Sequence, residues 1–588
     1  MIKTGDAFSD NIISDVSKRR QWTSSKANIR TWFLPFIFIV FFAILIFRIF
    51  YIQIIKGSYY RNLSDSNRTK TVVIHAPRGI IFDRNNTPLV FNIPGFRENI
   101  NNKAYFLDED KALSKIASGK KDLEIDTLRQ YPYKEATSHV LGYLGQVSES
   151  QLKDPVFEDY NSTDVLGKDG IEKVFESRLK GIDGKELFEI NAAGEIIRKL
   201  GRDEPISGEN ITLTLDINLQ TKTFEAMKDV KKGAAIVSTP NGEILALVSK
   251  PSFDANLFTL GEDYKVATNS SYPSLESILL DSQNQPLLNR AISGVYPPGS
   301  TFKLVVASAA LENKVIDENF EVEDTGILKI GAFSFANWYY TNYGGKDGNV
   351  NVVKAIKRSN DIFFYKLAEK TGIDTISKTA SRFGVGKTLG IDLIGEENGT
   401  LPSVAWKEKE IGEQWYLGDT YHYGIGQGFL LSTPLQVNAW AQAIANKGVL
   451  FRPHFLKEQK PYVLEKDLLD EKSFSLIREG MIESCSPTGV AWPFFNFKVK
   501  NANLKVDGKN ILAIDAASGS ADMRQILVAC KTGTAETTPN EMPHAWITLF
   551  APAYNPQIVV TVLSEKSGEG SSVAGPVAKK ILEAFFTK

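Results

Sequence analysis

The sequence predicts a mixed α/β (α+β) protein in three parts: a single N-terminal transmembrane helix, an extended β-rich region, and a large C-terminal domain with a central antiparallel sheet flanked by helices. Three observations predict this. A run of apolar residues occupies Trp32 to Ile55. Short alternating runs and turn signals, with no catalytic cluster, fill the next 150 or so residues. Beyond residue 211, strand-like and helix-like runs surround a polar-poor Ala/Val/Leu segment, Leu304–Leu311. At 588 residues, with 43% hydrophobic and 23% charged, the chain has room for more than one core.

Composition excludes several function classes. Lys+Arg at 68 against Asp+Glu at 69 leaves no basic excess for neutralising phosphates, so nucleic acid is not an expected partner. The 2 cysteines, Cys485 and Cys530, rule out a disulfide framework, and neither has a neighbour at metal-ligand spacing. The 5 histidines, at 75, 139, 422, 454 and 544, are too scattered for a zinc site or a histidine-based triad. Packing or a hydrogen bond is the expected role of each. No metal and no cofactor are expected.

The elements follow in order. Trp32–Phe47 is nearly pure hydrocarbon and resumes beyond Arg48 as Ile49–Ile55, enough to span a bilayer with Arg48 reaching the interface. Lys18, Arg19, Arg20, Lys26 and Arg30 precede it, which places the N-terminus in the cytoplasm and the bulk outside. No small-residue cleavage site follows, so an uncleaved signal anchor is expected. The expected division is a cytoplasmic tail (1–30), the anchor (31–55), a pedestal (56–210) and a catalytic domain (211–588). Within the pedestal, an internal Arg78–Asp83 salt bridge is expected to fix the strand and turn of Ala76–Arg84. Gly170–Leu179 reads as one short amphipathic helix, and Gly181–Lys199 as a hairpin around Asp183-Gly184 or Ala193-Gly194. Asp216 is placed to cap a helix running to about Val230. Gly233–Ser238 and Ile244–Val248 read as a hairpin across Thr239–Glu243, and three more strands are expected at Ile526–Cys530, Ala545–Phe550 and Ile558–Leu563, with a closing helix at Pro576–Phe586.

The chemistry concentrates in three stretches. In Tyr296-Pro-Pro-Gly-Ser-Thr-Phe-Lys303, two prolines and a glycine stop the preceding segment, and a helix follows. Residues three apart share a helix face, so the Lys303 amine is expected to reach the Ser300 hydroxyl at the positive end of the helix dipole. The pattern alone is weak, since Ser118–Lys121, Ser150–Lys153 and Ser177–Lys180 repeat it without suggesting chemistry. Downstream, Ser359 and Asp361 stand just before the aromatic run Ile362–Tyr365, where both can point into a shared cleft. Finally, Cys530-Lys-Thr-Gly-Thr-Ala535 is expected at the end of a strand, with Gly533 admitting a substrate backbone and Thr532 and Thr534 offering hydroxyls beside the charge of Lys531. An edge strand ending in a turn is the plain alternative.

In this order, Ser-x-x-Lys, Ser-x-Asp and Lys-Thr-Gly resemble the penicillin-binding and serine β-lactamase superfamily. With the anchor, Arg78–Arg84, Gly242–Ala246, Leu288–Ala291, Gly426–Gly428 and Thr433–Gln436, the chain is similar to class B penicillin-binding proteins from residue 31 onward. His139–Tyr143 and Gly170–Glu172 incline the resemblance to the elongation type, penicillin-binding protein 2, over the septal type. Two positions depart from the family pattern: Asp361 stands where most relatives have Asn, and Cys530 where Gly usually precedes Lys-Thr-Gly.

The resemblance implies a peptidoglycan D,D-transpeptidase that crosslinks stem peptides through a Ser300 acyl-enzyme and is inhibited by β-lactams. It implies Lys303 as base, Ser359 and Lys531 as proton relay, Asp361 in the cleft, Thr532, Gly533 and Thr534 as substrate-binding residues, and the backbone N–H groups of Ser300 and Thr534 as oxyanion hole. A free lysine titrates near 10.4, so burial and the like charge of Lys531 are expected to depress Lys303 toward neutrality, while Asp361 opposes that. The implied partners are the membrane, stem peptides, β-lactams, a SEDS-family glycosyltransferase and other elongation-complex proteins. A membrane-anchored D,D-carboxypeptidase or β-lactamase, and a β-lactam sensor that never turns over, are the rival readings. The anchor and the long spacer argue against hydrolysis of a diffusible drug, which needs neither.

Overall fold

A computed structural model describes residues 29–101, 103–120, 123–191, 193–260, 264–501, 503–513 and 522–587. The expected cytoplasmic tail therefore lies almost wholly outside the described residues. Packing gathers the described residues into two compact units, those up to 72 with 186–202, and those of 73–185 with those from 203 onward. The expected boundary between 210 and 211 is not a seam in this packing, because one apolar core runs from Ile81, Leu89 and Leu179 through Leu213 to Ile236 and Leu304.

The first unit holds the anchor. Helix α1 (Ile29–Phe50) passes into a π-helical turn, Tyr51–Ile55, and then into α2 (Gly57–Arg68). The 23 residues Phe33–Ile55 are long and apolar enough to cross a membrane, and none of them is buried. Strand β1 (Thr69–Ile74) begins a three-stranded sheet completed later in the chain.

The second unit opens with β2 (Ile81–Phe82), β3 (Pro88–Ile100), β4 (Lys103–Leu107) and β5 (Leu123–Gln130), with β3 paired to the other three. Arg78 does not pair with Asp83. Its guanidinium donates to Glu172 Oε2 at 2.8 Å and to Glu176 at 2.8 and 3.0 Å, and Arg129 Nε donates to Glu172 Oε1 at 2.7 Å. Glu172 is fully buried, and each of its oxygens accepts from a different guanidinium. Asp83 instead closes a turn by accepting from the backbone N–H groups of Asn85 and Thr87, both at 2.8 Å. The expected helix at Gly170–Leu179 is two short helices, Gly170–Val174 and Glu176–Leu179, broken at Phe175. The hairpin after it, most of which belongs to the first unit, turns at Ala193-Gly194, between β6 (Gly184–Ile190) and β7 (Ile196–Asp203), which complete the sheet with β1. Buried His139 places Nε2 2.8 Å from the Pro286 carbonyl, and burial lowers its pKa to about 4, so it is a neutral packing residue.

The last 380 or so residues are built on a five-stranded antiparallel sheet. After β8 (Ile211–Thr212), Asp216 caps α3 (Ile217–Ala226) by accepting from Leu219 N at 3.1 Å. Strands β9 (Gly233–Ser238) and β10 (Ile244–Lys250) form the expected hairpin. The C-terminal strands β11 (Ala529–Ala535), β12 (His544–Ala551) and β13 (Ile558–Ser564) complete the order β10-β9-β13-β12-β11, leaving β11 at an edge. The run Ile526–Cys530 is not one strand: Ile526 ends a separate strand, Met523–Ile526, and β11 starts only at Ala529. One face of the sheet packs against α3 and the closing helix Gly575–Phe586, and the other against the helix Pro434–Ala445, with the turn Gly299–Thr301 against β11 and β12.

Candidate active site

Ser300 sits in a single 3₁₀ turn, Gly299–Thr301, that leads into α4 (Lys303–Glu312), whose first nine residues are buried. The Ala/Val/Leu run after Lys303 favours helix and presents little that needs water, so the motif is anchored in the core. Gly299 has φ of 54°, and a Cβ there would lie 3.0 Å from the Thr534 carbonyl oxygen, so any side chain at this turn would be strained. Its backbone N–H donates to the Gly426 carbonyl at 2.9 Å. The turn that carries Ser300 is thereby pressed against the strand that carries Lys531.

That strand runs straight through its motif. Cys530–Ala535 lies inside β11, not at its end, with Lys531 opposite Thr548 and Gly533 opposite Trp546. Gly533 makes room for the protein's own chain: a Cβ there would meet Thr301 Cγ2 at 3.0 Å and the Pro298 carbonyl oxygen at 3.2 Å. Thr532 is buried and Thr534 exposed, and Gly570 N donates to Thr534 Oγ1 at 3.4 Å.

Chain order next brings α5 (Trp338–Tyr343), α6 (Val352–Arg358) and α7 (Asp361–Thr371). Ser359 and Asn360 form the two-residue joint between α6 and α7. Ser359 adopts φ 53°, ψ 38°, a left-handed conformation that a non-glycine residue holds only when its surroundings enforce it. Asn360 caps α7 by accepting from Phe363 N at 2.9 Å.

The three motifs meet at the Ser359 hydroxyl. Lys531 Nζ donates to Ser359 Oγ at 2.8 Å and to the Thr532 carbonyl at 2.8 Å. Fully buried Lys303 donates to Ser359 O at 2.8 Å, to Ser359 Oγ at 3.5 Å and to Asp361 Oδ1 at 2.6 Å. Among the described residues, the hydrogen bonds of the Lys303 amine thus go to Ser359 and Asp361, not to Ser300 as the i, i+3 spacing suggested. Asp361 Oδ2 accepts from Trp338 N at 2.8 Å.

The electrostatics depart from expectation in one respect. Burial lowers the pKa of Lys303, and the Asp361 carboxylate opposes that. Burial lowers Lys531 much further, and here the like charge of Lys303 adds to it. The repulsion is mutual, and the position of the Asp361 carboxylate decides which lysine keeps its proton more readily. Lys303 has a carboxylate at 2.6 Å, whereas the hydrogen-bond partners of Lys531 are neutral oxygens, so Lys531 is the easier amine to leave unprotonated.

Sequence reasoning missed two features here. Cys485 and Cys530 form one disulfide, with Cα atoms 5.8 Å apart, joining α8 (Glu471–Ser484) at its C-cap to β11 one residue before Lys531. Neither spacing nor charge marks that pairing. Trp338 contributes only a backbone N–H to Asp361, a role no residue type announces. Among the described residues, no group of three or more His, Cys, Asp and Glu side chains is placed to hold a metal ion.

Comparison with known proteins agrees with this architecture. A family profile described as the penicillin binding protein transpeptidase domain matches residues 233–583, and one described as the penicillin-binding protein dimerisation domain matches 113–213. The chain is 32% identical to the peptidoglycan D,D-transpeptidase MrdA of Salmonella typhimurium, across 93% of this chain and 94% of that relative. Among solved structures, the penicillin-binding protein PBP2 of Helicobacter pylori in complex with MreC superposes with a TM-score of 0.71 at 29% identity, covering 88% of this chain and 98% of that one. A chain from a peptidoglycan synthase complex, solved for its coordination of polymerization and crosslinking, gives 0.70 at 27% identity over 95% and 98% of the two chains.

Proposed function

This chain belongs to the penicillin-binding protein transpeptidase family, and from that premise we propose that it is a peptidoglycan D,D-transpeptidase of the elongation type, working through a Ser300 acyl-enzyme. The observation that carries the reading is the Ser359 hydroxyl, held by Lys531 from 172 residues away and approached by Lys303 from 56. It gives a buried path for protons beside the turn that bears the nucleophile.

In this reading Ser300 Oγ attacks the carbonyl of the penultimate D-Ala of a donor stem while its proton passes to Lys303. Lys303 accepts it only as the neutral amine. Neutral Lys531 supplies the route: a proton leaves Lys303 for Ser359 Oγ as the Ser359 proton moves to Lys531 Nζ, so no net charge is created. As the tetrahedral intermediate collapses, the proton on Lys303 passes through Ser359 to the departing D-Ala amine. An amine from a neighbouring stem then attacks the acyl-enzyme, and the same groups return its proton to Ser300. The backbone N–H groups of Ser300 and Thr534 hold the oxyanion, a contribution of about 3 kcal/mol per donor. Lys531, Thr532 and Thr534 receive the donor's terminal carboxylate. Strand β11, with its free edge, offers backbone groups to an extended stem peptide.

The remaining assignments belong to the same proposal. Residues 56–210 serve as pedestal and 211–588 as transpeptidase domain. The basic residues before α1 keep the N-terminus in the cytoplasm, so the catalytic domain stands outside a bacterial cytoplasmic membrane. A SEDS-family glycosyltransferase and other elongation proteins are the proposed partners, in line with the relatives solved in complexes.

The test uses the full-length chain on lipid-linked, uncrosslinked peptidoglycan. Release of D-Ala together with a crosslinked muropeptide supports transpeptidation. D-Ala without crosslinks means a carboxypeptidase, and release of neither means a sensor.

A further inference from the structure

The joint that carries Ser359 and Asp361 is gripped from outside the three motifs. Residues 322–350 leave the core as two nested antiparallel pairs: Val322–Asp324 pairs with Gly348–Val350, and between those strands lie the pair Ile327–Ile330 with Phe333–Ala336 and then α5. At the base of this excursion lies Asp324, 2% exposed. Its Oδ2 accepts from Asn337 Nδ2 at 2.7 Å, Asn360 Nδ2 at 2.8 Å and Asp347 N at 3.0 Å, and its Oδ1 accepts from Gly326 N at 2.7 Å.

Asn337 is fully buried and works in two directions. Its amide N–H₂ faces Asp324, while its Oδ1 accepts from the backbone N–H of Asp361 at 3.2 Å. The next residue, Trp338, donates its backbone N–H to Asp361 Oδ2 at 2.8 Å and its indole Nε1 to the Arg358 carbonyl at 3.0 Å. Arg358 Nε in turn donates to Asp347 Oδ1 at 3.0 Å, and Asn360 Nδ2 donates to Asp347 Oδ2 at 3.0 Å. Each residue from 358 to 361 except Ser359 is thus hydrogen-bonded to the excursion, and Ser359 is the one in the left-handed conformation.

We propose that Asp324 and Asn337 are positioning residues for acylation, fixing through Asn337 and Trp338 the Asp361 carboxylate against Lys303 and the Ser359 hydroxyl between the two lysines. The proposal rests on the transpeptidase reading of this site. A carboxylate that accepts a fixed backbone N–H on one oxygen cannot turn its other oxygen away from the lysine. A left-handed serine persists only where its neighbours are held on both sides. The charged groups facing Lys303 are Asp361 on α7 and Lys531 on β11; those facing Asp324 and Asn337 are Asp347 and, through it, Arg358.

A purely structural role for the buried Asp324 cluster would change stability alone, so the experiment reads chemistry. The acylation rate of the full-length protein by a fluorescent penicillin is measured across pH, beside its thermal midpoint. Asn337→Ala is expected to slow acylation about tenfold, the scale of one buried hydrogen bond with an orphaned partner. It should also move the acid limb of the profile to lower pH, because a loosened Asp361 no longer favours the protonated lysine. In an Asp361→Asn background the same substitution should move the limb no further. Asp324→Asn, which keeps the volume and three of the four acceptor contacts, should shift rate and limb in the same direction by less, and it carries the test if Asn337→Ala does not fold. An unaltered limb and rate with a lower midpoint overturns the positioning role, as does an equal shift in the Asp361→Asn background. Absence of wild-type labelling at Ser300 overturns the transpeptidase reading instead, and the two failures are distinct.

Discussion

Lys303 Nζ lies 2.6 Å from Asp361 Oδ1 in a site where the lysine is wholly removed from water. The contact favours the ammonium, which is the form that cannot take a proton from Ser300. Asp361→Asn removes that bias at nearly equal volume. The new amide can keep its oxygen on Trp338 N and turn its N–H₂ toward the lone pair of a neutral Lys303. The acid limb of the acylation profile should therefore move to lower pH, with activity at neutral pH kept or raised. An unmoved limb with a much lower rate would mean that the carboxylate itself is needed.

Lys303→Arg keeps the charge and removes the chemistry. A guanidinium does not deprotonate in a protein, so it can pair with Asp361 but cannot act as base. Acylation should fall about 100-fold or more, the usual range for a lost general base. Comparing the acylation rate with the thermal midpoint separates this from misfolding: a near wild-type rate would assign the base to another group.

In the β-rich part of the second unit, Glu172 is clamped by Arg78 and Arg129 and is fully buried. Burial alone would raise its pKa, but the two guanidiniums outweigh it and hold the carboxyl below its ordinary 4.5. A depressed native pKa contributes stability that is fully present above the unfolded value and lost as pH falls through the native one. Glu172→Gln should cost about 3 kcal/mol or more at neutral pH, since it takes the carboxylate from buried Arg129 and leaves Arg78 with Glu176 alone. Denaturant melts at pH 7 and below 4 check this: the difference between the two proteins should shrink in acid.

Local chemistry made much of this molecule legible. Pro297-Pro298-Gly299 before an Ala/Val/Leu run gave the entry to α4, Asp216 gave the cap of α3, and Asn241-Gly242 between two apolar runs gave the β9–β10 hairpin. The apolar run before Ile55 stood out for the same reason, since length and composition alone identify it. What failed depended on approach across long stretches of chain. Arg78 had a carboxylate five residues away, yet it pairs with two that lie 94 and 98 residues on, because only the fold decides which acid is buried beside it. Sequence marks Gly533 as room for a substrate backbone but cannot show that Thr301 and Pro298 also close on it. The grip of Asn337 and Trp338 on Asp361 is carried partly by a backbone N–H, which every residue but proline possesses, so no motif could reveal it.

The central claim is that Ser300 is the acylated nucleophile, and a single measurement tests it most directly. The full-length protein is treated with a labelled penicillin, digested, and the adduct located by peptide fragmentation in a mass spectrometer. The account predicts one adduct, on Ser300, and none in Ser300→Ala. An adduct on Ser359 or any other serine, or labelling that survives Ser300→Ala, would contradict it.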